Sequence, residues 1–170
     1  MSGGMRGLSP WRWLGAPMLV VMVLSLLFAI PMRFWGLGLP EPLFAMPVVF
    51  AWAVIRPSML GPVCVMLLGL YLDLLWGSPV GFWAVCLLLP YGVVLGGRAM
   101  LAGQSRLMMW VWYGAATGLA MGAGYLFTML ETQSAPDPLS VGWQFLVTVI
   151  LFPFADRLIE RFEDADVRFR

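Results

Sequence analysis

The sequence has no histidine and little charge of either sign: 11% of its 170 residues are charged, against 61% hydrophobic. Soluble domains carry about 25% charged and about 45–50% apolar residues, so this composition cannot furnish a surface that faces only water. A mean hydropathy of +0.88 calls for lipid, and the length suits one compact membrane domain. The missing histidine excludes a Ser/His/Asp set. A net charge of +1 is too balanced to point to nucleic acid. There are two cysteines, Cys64 and Cys86, both in apolar runs where they read as small hydrophobic packing groups. No second ligand type stands near them at metal-ligand spacing. They do not reveal the redox compartment. No base lies near either cysteine in sequence, no glycine-rich phosphate loop leads into a helix, and the apolar runs hold no close pair of carboxylates. Nothing here supports an enzyme, a cofactor or a metal.

What is present is a succession of apolar runs. A bilayer core of about 30 Å takes roughly 20 helical residues, and six candidate spans emerge, at 14–30, 43–55, 58–76, 82–97, 107–130 and 141–155. The N-terminus (residues 1–13) puts basic residues ahead of an apolar stretch, as a signal peptide does. With no small-x-small cleavage site followed by a polar region, it reads as a retained first span. The second run is short and contains Pro47, which predicts a kink or an interruption.

Arginine placement orients the six. With the N-terminus inside, Arg6, Arg12, Arg56, Arg98, Arg106, Arg157, Arg161, Arg168 and Arg170 all lie inside, and Arg33 alone lies outside. The positive-inside rule then places both termini in the cytoplasm of a multi-pass membrane protein. Residues 156–170 form a charged amphipathic tail with Leu158, Ile159, Phe162 and Phe169 roughly on one side. It can lie on the inner membrane surface or dock a partner. The acids Asp156 and Glu160 read as part of a solvated face.

Glycine spacing adds a packing signal. Gly114, Gly118 and Gly122 recur every fourth residue in the fifth run, and Gly92 and Gly96 repeat that spacing in the fourth. Such a face lets another backbone approach closely, within this chain or from a partner's helix. On that reading Gly118→Leu is expected to weaken folding or complex formation. Arg56-Pro57 reads as an interface anchor, the arginine reaching the headgroups and the proline opening the next helix.

Asp73 is the only acid between Glu41 and Glu131. A charged aspartate at mid-bilayer costs about 2.5–3.5 kcal/mol. Counting from Arg56, however, Asp73 sits roughly 25 Å along the third span, near the outer interface. The breaker behind it, Gly77-Ser-Pro79-Val-Gly81, ends the helix and leaves backbone groups in need of partners. Asp73 therefore reads as a cap or latch that accepts backbone hydrogen bonds, or as an ion, ligand or partner contact. A proton-carrier site is least favoured, because Gln144, Thr117, Thr128 and Thr148 look scattered. As a cap, Asp73→Asn is expected to be mild and Gly81→Leu worse.

The stretch "GLYLDLLWGSPVG" resembles the MreD family of bacterial rod-shape-determining membrane proteins. The match lies at Gly69, Asp73, Gly77, Pro79 and Gly81, with Arg56-Pro57 upstream and "LFPFADRLIERFED" late in the chain. The resemblance implies an all-α, compact six-transmembrane-helix bundle (residues 14–155) similar to substrate-binding subunits of energy-coupling vitamin transporters. It also implies a non-enzymatic scaffold of the cell-wall elongation complex in the bacterial inner membrane. MreC would be its direct partner, with RodA, the elongation transpeptidase and MreB reached through the complex. The five motif residues become candidates for the partner surface. The competing expectation is a vitamin-transporter substrate-binding subunit. That family favours an Ala-x-x-x-Ala surface on the first helix, and the first span has none.

Overall fold

The computed structural model describes residues 14–29, 33–34, 37–38, 41–55, 59–101, 103–133 and 137–167, with 33–34, 37–38 and 162–167 as backbone only. Seven helices occur among the described residues: α1 (Ala16–Phe28), α2 (Ala45–Ile55), α3 (Leu60–Trp76), α4 (Phe82–Leu101), α5 (Arg106–Thr132), α6 (Pro138–Ile150) and α7 (Phe152–Val167). A two-residue antiparallel ladder, β1 (Arg33–Phe34) with β2 (Leu37–Gly38), lies between α1 and α2. The described residues are thus helical almost throughout. Phe82–Leu101 and the stretch Pro138–Arg161 are long and apolar enough to cross a membrane, while α1, α2 and α3 are apolar but shorter.

The shortest helix is the core. Every residue from Ala45 to Ala53 is buried, and α1, α3, α4, α5 and α7 all pack on α2. A helix that is apolar all round belongs inside. Pro47 produces no kink: it is the third residue of α2, in the first turn, where a helix has no internal partner for the amide that proline lacks.

The start of the charged tail packs on its own bundle, while Phe162 and Phe169, the other half of its expected apolar stripe, lie outside the described side chains. A one-residue break at Leu151, followed by Pro153, separates α6 from α7. Phe152, Ala155 and Ile159 are buried, packed with α2 in the core. Nor are Asp156 and Glu160 merely solvated, since Arg106 at the start of α5 pairs with both, at 3.1 Å to Asp156. Helix α7 is held on α2 by apolar burial, with the ion pairs at its rim. The exposed partner arginine makes those pairs a minor energetic contribution, about 0–1 kcal/mol.

Three helix ends among the described residues have a local cause. Helix α3 ends at Gly77 in the left-handed conformation (φ +65°), a stop that glycine adopts without Cβ strain. Ser105 caps α5 through the Met108 amide, and Asp137 caps α6 through the amides of Leu139 and Ser140. The Ser140 hydroxyl, with those two amides, holds the Asp137 carboxyl below the usual carboxylate range.

Candidate functional site

Gly69 and Asp73 stand one turn apart on α3, hence on one face, and that face meets the start of α4. A Cβ on Gly69 would lie 2.3 Å from Ala84 Cα and 2.5 Å from Ala84 N. Only glycine lets these two backbones come so close. Asp73 then reaches across the gap. Its Oδ2 accepts from the Gly81 amide at 2.7 Å, and its Oδ1 accepts from the Trp83 amide at 2.8 Å. Its own carbonyl accepts from Gly77 and Ser78. One residue thus closes α3 with its backbone and opens α4 with its side chain. The first amides of a helix have no internal partner and sit at the positive end of its dipole. A side chain only 1% exposed is satisfied there because short hydrogen bonds occupy both of its oxygens.

Aromatic rings surround the latch. Trp76 and Trp83, on either side of the turn, meet edge-to-face at 4.8 Å, and Phe82 lies 5.5 Å from Trp83. The Trp76 indole N–H donates to Glu41 Oε2 at 2.9 Å.

Next to this cluster, α6 supports the irregular segment ahead of α2. The Gln144 amide donates to the Glu41 carbonyl at 2.9 Å, and Thr148 Oγ1 accepts from the Leu43 amide at 3.1 Å. The Thr148 carbonyl accepts from the buried Tyr113 hydroxyl at 3.0 Å. Backbone outside regular structure needs such partners when it is buried in an apolar bundle. Gln144 and Thr148 are therefore not scattered. Their i, i+4 spacing was the available signal, but Glu41 and Leu43, which they serve, lie more than a hundred residues away in the chain. Thr148→Val keeps the shape and removes the acceptor for the Leu43 amide. It is expected to cost about 1–3 kcal/mol, seen as a lower thermal midpoint of the detergent-solubilised protein.

A cavity of about 400 Å³ opens at this end of the bundle, between the α3–α4 turn, the end of α5 and the start of α6. Trp76, Phe82, Trp83 and Tyr125 give it aromatic walls, with Gln144 and Glu131 among its polar lining groups.

The motif residues divide into two groups. Gly69 and Asp73 are buried in the α3–α4 contact and offer no partner surface themselves. Gly77 and Pro79 are exposed and Gly81 is half-buried, so only the turn could be touched from outside. Gly77 and Gly81 both have positive φ, +65° and +96°, which accounts for glycine at each. Arg56 and Pro57 lie outside the described residues.

The expected glycine faces do not pack within the chain. A Cβ on Gly92, Gly96, Gly114 or Gly122 would meet nothing within 4 Å, and one on Gly118 would make only ordinary contact with Phe145, at 3.6 Å. Helix α5 instead packs through Tyr113, Ala116, Thr117, Ala120, Met121 and Gly124. Gly124, which a four-residue count from Gly114 passes over, has Phe82 and Cys86 against it. Cys86 is buried, Cys64 half-buried, and both are free thiols. No group of three His, Cys, Asp or Glu among the described residues could hold a metal ion.

Comparison of the chain with family models, curated proteins and solved structures gives no match.

Proposed function

We propose that the chain is a non-enzymatic scaffold subunit of the bacterial cell-wall elongation complex, the role implied by its resemblance to the MreD family. Its direct partner is then an MreC-type protein, with RodA, the elongation transpeptidase and MreB reached through the complex. In this reading the bundle crosses the inner membrane six times with both termini in the cytoplasm, as the arginine asymmetry requires. The observation that carries the reading is the use of Asp73. Both of its side-chain oxygens are occupied by α4 amides, so the acid serves shape and presents no free face to a substrate. Leu74 in the last turn of α3 and Val80 in the turn itself face outward, 79% and 82% exposed. Fixed apolar tips of this kind suit a partner's surface.

The membrane placement draws on a belt of outward apolar side chains, among them Leu26, Leu67, Val93, Val111 and Ile150. Helix α2 is roughly 16 Å long, too short for a lipid-exposed span. Packed inside the other helices, it has no need to be one.

A mild-detergent pull-down of the tagged chain from its native membranes tests the proposal. Recovery of an MreC-type protein with wall-elongation enzymes is the expected result. Recovery of the coupling and ATPase subunits of a transporter, with no MreC-type protein, would replace it with the vitamin-transporter reading.

A further inference from the structure

The cavity beside the latch has a composition that selects for charge. Four aromatic side chains line it, from Trp76, Phe82, Trp83 and Tyr125, and no arginine does among the described residues. Among the described residues Glu131 is its only charged lining group, and that carboxylate makes no ion pair or hydrogen bond with any of them. A second carboxylate, Glu41, is bound to the Trp76 indole N–H, adding negative charge beside that ring. The Gln144 amide points its nitrogen at the Glu41 carbonyl, which leaves its oxygen as an acceptor. Aromatic faces, carboxylates and an acceptor oxygen all attract a cation, and no described lining group repels one. About 400 Å³ lies within the range of small-molecule sites.

We propose that this cavity is a binding site for an organic ammonium ion, seated against the aromatic rings with its charge toward Glu131. The arginine asymmetry assigns this end of the bundle to the outer face. The ammonium can therefore come from a free organic cation or from the headgroup of an outer-leaflet phospholipid. The inference is independent of the scaffold reading, and its test uses the purified chain alone.

Labelled choline is dialysed to equilibrium against the chain in a neutral detergent. Its uncharged isostere, with carbon in place of nitrogen, serves as competitor. The expected result is saturable binding at one site, with the isostere at least roughly tenfold weaker. Glu131 is exposed and Tyr125 only half-buried, so Glu131→Gln and Tyr125→Leu should keep the wild-type thermal midpoint. Each should still weaken choline severalfold. Repeating the measurement in nanodiscs separates the two sources. Weaker choline binding in phosphatidylethanolamine than in phosphatidylglycerol identifies the lipid headgroup as competitor and natural occupant, and equal binding identifies a free cation. The proposal is overturned if the isostere competes as well as choline, if both variants bind like wild type, or if no saturation appears by about 10 mM.

Discussion

Gly69→Ala is expected to destabilise the bundle by about 2–3 kcal/mol, near the top of the range for overpacking. Two effects oppose each other. Alanine improves helix propensity by about 1 kcal/mol, but its methyl would sit 2.3 Å from Ala84 Cα and 2.8 Å from the Trp83 carbonyl carbon. Ordinary carbon–carbon contact is about 3.5–4.0 Å, and the obstruction is backbone, which cannot rotate away. Moving α4 back would stretch the 2.7 and 2.8 Å bonds from Asp73 to Gly81 and Trp83. The clash therefore wins. Gly118→Ala is the control, since the same methyl there meets only the Phe145 ring edge at 3.6 Å, and the variant should match wild type or gain up to about 1 kcal/mol from helix propensity. Thermal midpoints by size-exclusion chromatography in one detergent distinguish the two. Equal midpoints for both variants would mean that the α3–α4 approach is looser than described.

Asp73→Ala is expected to cost more, about 3–5 kcal/mol, because two bonds to a charged acceptor are lost and two amides lose their partner together. For a chain of this size that lowers the midpoint by about 6–20 °C. The structure also changes the expectation for Asp73→Asn. An asparagine offers one acceptor oxygen where the aspartate uses two, so its NH₂ would face either the Gly81 or the Trp83 amide, donor against donor. Asp73→Asn should lose about 1–3 kcal/mol and is not the mild change that a single-acceptor cap would give. Gly81→Leu has open space but a φ of +96°, a strain of about 1–3 kcal/mol. The expected order of damage thus puts Asp73→Ala first, with Asp73→Asn and Gly81→Leu close together. A wild-type midpoint for Asp73→Asn would show that one of the two bonds contributes little.

The α3–α4 turn was readable before the structure because its signals are local. A lone acid, then a glycine-proline breaker within eight residues, names both the end of one helix and a group able to start the next. The rest was hidden for a physical reason. Where one side of a helix faces lipid and the other faces protein, both sides are apolar, so the periodicity that marks a core face in a soluble protein fades. Hence the regular spacing of Gly114, Gly118 and Gly122 did not mark the face of α5 that packs within the chain, which runs through Tyr113, Thr117, Ala120 and Gly124. Helix α2 read as a short, kinked span because nothing in its sequence separates a lipid-facing helix from one wrapped by its neighbours. Ile159 of the amphipathic tail packs toward α2, a destination its sequence could not name, since a membrane surface and the side of α2 accept the same apolar stripe. Gln144 and Thr148 needed the fold to bring Glu41 and Leu43 to them.

Backbone hydrogen exchange over residues 77–84 tests the Asp73 latch most directly, because the latch is a statement about two amides. In the intact protein the Gly81 and Trp83 amides should be protected, although they stand at the very start of α4, where a helix supplies no partner of its own. In Asp73→Ala, that segment should exchange at least about tenfold faster, the factor corresponding to 1.4 kcal/mol, while the centre of α4 changes less. Equal exchange over residues 77–84 in the two proteins would contradict the latch and return Asp73 to the status of a free charge with some other task.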